Sequence, residues 1–220
     1  MKTNFYYFCL LMISLFSLPV NAAGSGYQDA MRTALTSLDA AAPSQYLSCR
    51  NQFERIAQLY SDEWLPVYYT AYCDLQMIYT KQAAANAQAL LEDAKNLLTK
   101  LDTFRGADLS ETSTLWGYYY MALITLDGAN GQKYFAQTVG GYEKAIALNP
   151  ENPRPVCLLA FFKQFLPAFM RSESEIAEGR EKAKALFEKE KPSIEKPYWG
   201  AYYVDMIKQQ INTNDDGKEF

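Results

Sequence analysis

Apolar residues recur every three or four positions along most of this chain, a spacing that is typical of amphipathic helices. The clearest case extends from Ala87 to Phe104, where apolar side chains lie on one side and charged ones on the other. The same pattern predicts nine helices, near 27–41, 44–60, 63–80, 87–104, 110–127, 132–148, 154–170, 173–190 and 197–212. Because no alternating pattern of useful length indicates a strand, we predict an all-α fold.

Residues that start and stop helices support these boundaries. Ser172 and Glu175 form a predicted capping box, in which side chains satisfy the free amide groups of the first turn. Gly106 is expected to end one helix. Pro66 should lie in the first turn of its helix, whereas Pro167 should bend or end its own. Further starts are expected after Ser61 with Asp62 and at Ser110, and further stops at Asp127 with Gly128 and at 149–153.

A repeated pattern begins at each of the three tryptophans, because a tyrosine follows every one of them a helical turn later. The pairs are Trp64 and Tyr68, Trp116 and Tyr120, and Trp199 and Tyr203. The helix that follows Trp116 contains Tyr142 and Ala145 and ends in the proline-containing turn 149–153. A helical hairpin cannot bury its apolar face alone, so this repetition indicates a stack of hairpins.

These residues resemble the tetratricopeptide repeat family, whose first helix opens with a large residue and whose second helix ends at a proline. The resemblance covers 60–200 and is closest at 116–165. The repeat is longer than the usual unit of the family, because 82–86 and 128–133 enlarge two turns. The resemblance implies a right-handed α-α superhelix of about four helical hairpins, whose first helices line a concave groove that receives a peptide or partner helix.

The resemblance places seven residues in this groove, namely Asp62, Tyr69, Tyr72, Met121, Thr125, Val204 and Lys208. We therefore predict a non-enzymatic scaffold that binds a protein or peptide. The alternative is a small-ligand binding protein that takes an oligosaccharide or lipid fragment in an aromatic pocket. An open face would favour the peptide, and a closed pocket would favour the small ligand. The formal net charge of −4 argues against nucleic acid as a partner.

Histidine is absent from the sequence, although it is the usual general base and metal ligand near neutral pH. Its absence excludes Ser-His-Asp and Cys-His catalysis and removes the commonest nitrogen ligand of zinc. Two converging carboxylates could still cleave a glycoside, but no pair is marked in the sequence. We predict no enzymatic activity, no cofactor and no metal site. The opening of a calcium-loop pattern at Asn212, Asn214, Asp216 and Gly217 lacks its closing glutamate.

The first residues have the pattern of a signal peptide. Lys2 precedes an apolar run from Phe5 to Leu18, and small residues follow, with cleavage expected after Ala22. The run is too short to span a bilayer, so we predict secretion, most simply into the periplasm, without stable membrane insertion after cleavage. The predicted domains are a signal peptide at 1–22, a helical domain at 23–212 and a flexible tail at 213–220.

Three cysteines remain after the predicted cleavage, namely Cys49, Cys73 and Cys157. Cys49 and Cys73 would lie at similar heights in a helical hairpin and could form a disulfide in an oxidising compartment. The favoured interpretation is that all three are small buried hydrophobic residues, because free cysteine is among the most buried residue types. The sequence does not predict the oligomeric state.

Overall fold

The computed structural model of this protein describes residues 21–82 and 84–207. Helices follow one another along these residues, and no strand occurs among them. They are α1 (Asn21–Asp39), α2 (Tyr46–Leu59), α3 (Trp64–Tyr79), α4 (Ala87–Asp102), α5 (Leu109–Leu126), α6 (Gly131–Leu148), α7 (Pro153–Lys163), α8 (Glu173–Phe187) and α9 (202–207). Short 3₁₀ turns lie at Pro43–Gln45, Ala84–Asn86, Gly128–Asn130 and Ala168–Met170. The predicted all-α fold class is confirmed.

Helices that are adjacent in sequence also pack together, which gives an all-α superhelical stack. The most extensive seams join α5 with α6, α2 with α3, α7 with α8 and α3 with α4. Contacts of α5 with both α3 and α7 place these three helices in one layer. Within the described ranges, no helix combines the length and apolar character needed to cross a lipid bilayer. Lys208, the calcium-like pattern at 212–217, the tail 213–220 and all but the end of the predicted signal peptide lie outside the described residues.

Most helix ends lie where their sequence signals predict them. Pro66 lies in the first turn of α3, and the Ser172 hydroxyl accepts a hydrogen bond from the Glu175 amide at the start of α8. Asp108, rather than Ser110, caps α5, because its carboxylate accepts the first free amide groups of that helix. The predicted helix 154–170 ends early, at Lys163, and Pro167 begins the following turn.

The predicted helix 197–212 begins late, at residue 202. Gly200 has a φ of +100°, a left-handed conformation that interrupts any α-helix and that glycine adopts without strain. Trp199 therefore precedes its helix, whereas Trp64 is the first residue of α3 and Trp116 lies inside α5. The three tryptophans share a sequence pattern without sharing a structural position.

The chain returns at residues 197–207, here called the closing segment, to cover the layer of α3 and α5. The indole nitrogen of Trp199 donates a hydrogen bond to the Tyr68 hydroxyl at 2.8 Å. The Trp199 ring also lies 4.3 Å from the Tyr72 ring, centroid to centroid. Gln76, buried on α3, donates to the Tyr202 hydroxyl at 3.1 Å. The inner face of the layer is therefore filled by the protein itself.

A buried ion network fastens the start of the closing segment. The guanidinium of Arg154, on α7, donates to Glu111 of α5 at 3.1 Å and to Glu190 at 2.7 Å. It also donates to the Pro197 carbonyl. Such a buried charge is stable only when its partners satisfy it, as they do here. Arg154 thus joins α5, α7 and the closing segment.

The three cysteines of the described residues are buried and unpaired. Cys49 lies on α2, Cys73 on α3 and Cys157 on α7. Their interpretation as small core residues is confirmed, and the alternative of a disulfide between Cys49 and Cys73 is wrong for this structure.

Candidate ligand-binding cleft

The residues predicted to line a concave groove do not form one open surface. Tyr69, Tyr72 and Met121 are only 1%, 3% and 4% exposed. The Tyr69 ring stacks on Phe53 of α2 at 4.9 Å, and the Tyr142 hydroxyl of α6 contacts the Met121 sulfur at 3.8 Å. The prediction of an open face is therefore wrong for these three. Of the other four, Asp62 and Thr125 are exposed, Val204 is half-buried and Lys208 lies outside the described residues.

A small aromatic pocket remains beside Tyr69 and Tyr72. Its volume is about 360 Å³, and Tyr46, Trp199 and Tyr198 contribute to its walls. The Tyr198 hydroxyl donates to the Asp39 carboxylate at 2.8 Å and closes one side. Burial raises the pKa of the Tyr46 phenol to about 12, so this side chain is neutral near pH 7. The pocket is a cleft between parts of the core rather than a groove along the helices.

A larger and more apolar cavity, here called the turn cleft, opens between the α5–α6 turn and the residues that follow α7. Its volume is about 590 Å³, within the range of small-molecule sites. Its lining residues are Ile124, Gly128, Gly131, Gln132, Phe135, Phe162, Phe165, Leu166, Pro167 and Met170. Of these described lining residues, only Gln132 has a polar side chain. The lining of the turn cleft therefore suits an apolar ligand.

Hydrogen bonds fix the first wall of the turn cleft. The Asp127 carboxylate accepts the Ala129 amide at 2.9 Å, and the Asn130 side chain donates to the Leu123 carbonyl at 3.1 Å. Gly128 and Gly131 add no side chain, and a Cβ atom built on either would meet nothing within 4 Å. These glycines keep the space beside the turn open.

The second wall is formed by the end of α7 and the turn around Pro167. Phe162 is buried, and its ring lies 5.9 Å from the ring of Phe135 on α6. The Met170 amide donates to the Pro167 carbonyl at 2.8 Å, and the Arg171 guanidinium donates back to the Gln164 carbonyl at 3.3 Å. These bonds hold the apolar side chains of the turn in place around the cavity.

Large apolar side chains beside the turn cleft are exposed to solvent. Phe165 is 56% exposed, Met170 is 46% exposed, and the neighbouring Phe169 is 87% exposed. Single exposed apolar residues are common, but a group of them beside an apolar cavity marks an interaction site. These side chains form an exposed apolar rim beside the turn cleft.

Two positive side chains flank the same turn. Lys163 forms an ion pair with Glu175 at 2.7 Å, and Arg171 forms one with Glu173 at 2.7 Å. The hydrogen bond from Lys163 lowers the pKa of the Glu175 carboxyl. Both carboxylates belong to the first turn of α8, so the charges are arranged as two exposed pairs next to an apolar cavity.

The sequence did not mark Phe162, Phe165 and Met170 as site residues, because all three fall within the predicted helix 154–170. A signal was present in the apolar run around Pro167, which continues past the point where a proline should end a helix. Phe165 and Met170 follow the end of α7 and belong to the turn, where apolar residues are less easily buried than on a helix face.

No protein-family model matches the chain, and no curated protein matches it either. Among solved structures, the chain is similar to the HusA haemophore from Porphyromonas gingivalis. The two share 26% sequence identity and superpose with a TM-score of 0.75, over 86% of this chain and 94% of that one. A haemophore is a protein that binds haem.

This similarity corrects the predicted function. The expected scaffold with a peptide in its concave groove is wrong, because the similar structure is a haemophore and the closing segment fills the place assigned to the peptide. The alternative, a small-ligand binding protein, is better supported. The ligands expected for that alternative were an oligosaccharide or a lipid fragment, and no residue pattern indicated a porphyrin.

Proposed function

We propose that this protein binds haem or a related porphyrin in the turn cleft and acts as an exported carrier rather than an enzyme. The observation that carries the proposal is the apolar lining of that cavity. The similarity to a haemophore supports the ligand class, and the predicted signal peptide at 1–22 supports export. The proposal does not depend on the tetratricopeptide resemblance, which stays a prediction.

The porphyrin ring fits the chemistry of the turn cleft. A porphyrin is a flat aromatic ring system with apolar faces, and Phe135, Phe162 and Phe165 offer aromatic rings against which it can pack. Removal of apolar surface from water is the main source of affinity in such a site. The exposed Met170 and Phe169 at the rim would cover the part of the ring that extends beyond the cavity.

Iron coordination by histidine is impossible for this chain, because its sequence contains none. Among the described residues that line the turn cleft, Met170 has the only side chain of a type that ligates haem iron. A methionine ligand usually acts with a histidine on the opposite face. We therefore assign most of the affinity to ring packing, and expect metal-free protoporphyrin to bind within about tenfold of haem.

The proposal can be tested by filling the turn cleft with a side chain. Gly131→Leu adds four carbons at the first residue of α6, where the structure offers open space beside the cavity. We expect haem to bind about tenfold or more weakly, because the leucine occupies the position of the ring. The measurement is an absorbance titration with haem, and thermal unfolding checks that the fold is retained.

Gly140→Leu is the matched control, because Gly140 lies on the same helix and also faces open space but does not line the cavity. This variant should bind haem like the unmodified protein. Equal affinity of the two variants, with both folded, would contradict the assignment to the turn cleft. Failure of the unmodified protein to bind any porphyrin would contradict the proposed function as a whole.

A further inference from the structure

Two ion pairs lie next in sequence to residues that line the turn cleft. Lys163 directly follows Phe162, and Arg171 directly follows Met170, and both of those apolar residues line the cavity. The hydrogen bond from Arg171 to the Gln164 carbonyl spans the turn between them. The two cations therefore flank the same short turn of the cavity wall.

Each of these two cations pairs with a glutamate that a ligand carboxylate could replace. The side chains of Lys163 and Arg171 are 27% and 28% exposed, whereas those of their partners Glu175 and Glu173 are 59% and 62% exposed. Ion pairs this close to water contribute little to stability. A ligand carboxylate could replace either glutamate at little cost, and the released glutamate would be solvated at once.

We infer that Lys163 and Arg171 receive the carboxylates of the ligand, so that the turn cleft selects apolar rings with acidic groups on one edge. This inference rests on the proposed function and names the chemistry that the same site recognises. Arg171 has the larger share of the selectivity, because its planar guanidinium can bind one carboxylate through two parallel hydrogen bonds. Lys163 acts as a point charge.

The test compares protoporphyrin IX, which carries two carboxylates, with its dimethyl ester, which has the same ring and no charge. Both are titrated by fluorescence in the same detergent-containing buffer. Arg171→Gln and Lys163→Gln should each weaken binding of the diacid about fivefold and change binding of the diester less than twofold. Raising the salt concentration should weaken binding of the diacid but not of the diester, because salt screens exposed charges.

Two further variants should change the affinity for the diacid in the opposite direction. Glu173→Gln and Glu175→Gln remove the competing carboxylates, so each should strengthen binding of the diacid about twofold. Arg180→Gln is the matched control, because Arg180 also pairs with a neighbouring glutamate at 3.1 Å but lies away from the turn cleft. This variant should alter the binding of neither porphyrin.

The outcomes separate this inference from the function on which it rests. If the diester binds the unmodified protein and the Arg171 and Lys163 variants weaken both ligands equally, the cations only hold the turn together and the inference is overturned. If neither porphyrin binds the unmodified protein, the proposed function itself fails. Binding of the diacid that is selectively weakened by both cation variants supports the two together.

Discussion

The closing segment and the turn cleft are both aromatic, yet they use aromatic rings in opposite ways. Around the closing segment the rings are mostly tyrosines, and their hydroxyl groups bond to one another, to Gln76 and to Trp199. Around the turn cleft the rings are phenylalanines with no polar group to satisfy, and Phe165 is largely exposed. The tyrosines of the first region find hydrogen-bond partners inside the protein, whereas the phenylalanines of the second border the larger and more apolar cavity.

The difference shows what the hydroxyl group of tyrosine contributes. A buried hydroxyl must find a partner, so a cluster of buried tyrosines becomes a hydrogen-bonded network that fixes one arrangement of the chain. A phenylalanine imposes no such requirement and packs against any apolar surface that arrives. Aromatic content alone therefore does not identify a binding site, whereas exposed aromatic rings beside an apolar cavity point to one.

The largest effect is expected from breaking the ion network of the closing segment. Arg154→Met leaves Glu111 buried without its cation, and should lower the free energy of unfolding by about 3–5 kcal/mol. Urea denaturation measures the change. Arg32→Met, which removes an exposed arginine paired with Asp29, should cost less than about 0.5 kcal/mol. Similar losses for both variants would show that Arg154 does not fasten the segment.

A second prediction tests how tightly α5 packs against α6. A Cβ atom on Gly117 would lie 2.7 Å from ring carbons of Tyr142, whereas one on Gly140 would meet nothing within 4 Å. Gly117→Ala should therefore lower the free energy of unfolding by about 1–3 kcal/mol through overpacking. Gly140→Ala should raise it by up to about 1 kcal/mol, because alanine favours the helix. Equal effects in thermal or urea unfolding would contradict the close approach of α5 and α6.

A third prediction concerns Asp74, a buried group on α3 that lacks the complete set of partners found around the closing segment. One carboxylate oxygen accepts a hydrogen bond from Arg50 at 2.9 Å, and the other has no partner among the described residues. Burial raises the pKa of this carboxyl from 3.8 to about 7, against the opposing charge of Arg50 and with support from Asp93 and Glu54. The folded protein thus holds this proton where the unfolded chain releases it.

This difference in proton binding makes the stability of the protein depend on pH. Because the folded state binds more protons between pH 4 and pH 7, the contribution of Asp74 to stability decreases as the pH rises through that range. We expect a loss of up to about 4 kcal/mol from this group, because one unit of pKa difference between the folded and unfolded states corresponds to about 1.4 kcal/mol. Asp74→Asn should flatten the corresponding slope when the free energy of unfolding is measured against pH. An unchanged slope would mean that Asp74 is ionised throughout.

The smallest effect on stability is expected at the rim of the turn cleft. Phe165→Ser should change the free energy of unfolding by less than about 0.5 kcal/mol, because the ring is already mostly in water. The same variant should weaken porphyrin binding about three- to tenfold, since it removes an aromatic contact. Leu59→Ser replaces another exposed apolar residue far along the chain on α2, and should alter neither property.

The sequence was sufficient to predict the helices, because amphipathic spacing and helix ends are local properties. The predicted start of α5 near Ser110 and the turn at 149–153 required no knowledge of distant residues. The prediction of a helix from 197 was wrong, because Trp199 is held by Tyr68 and Gly200 adopts a left-handed conformation to permit it. A contact of that separation leaves no trace in local periodicity.

The site was not predicted from the sequence, for a related reason. Tyr69 and Tyr72 were assigned to a groove because spacing places them on one helix face, but spacing does not say what covers the face. The turn cleft joins Phe135 to Phe162 across two hairpins, and only their packing brings the rings within 5.9 Å of each other. Burial and cavity shape are properties of the assembled stack.

The closing segment also imposes an order on the assembly of the chain. Tyr198 bonds to Asp39 across 159 residues of sequence, and Trp199 bonds to Tyr68 across 131. Contacts of such separation form slowly, because the entropy of closing a long loop must be lost before they stabilise anything. During synthesis every helix of the layer emerges before the residues that cover it. The inner face of the layer therefore stays uncovered during synthesis, and the fold cannot be completed before those residues have been made.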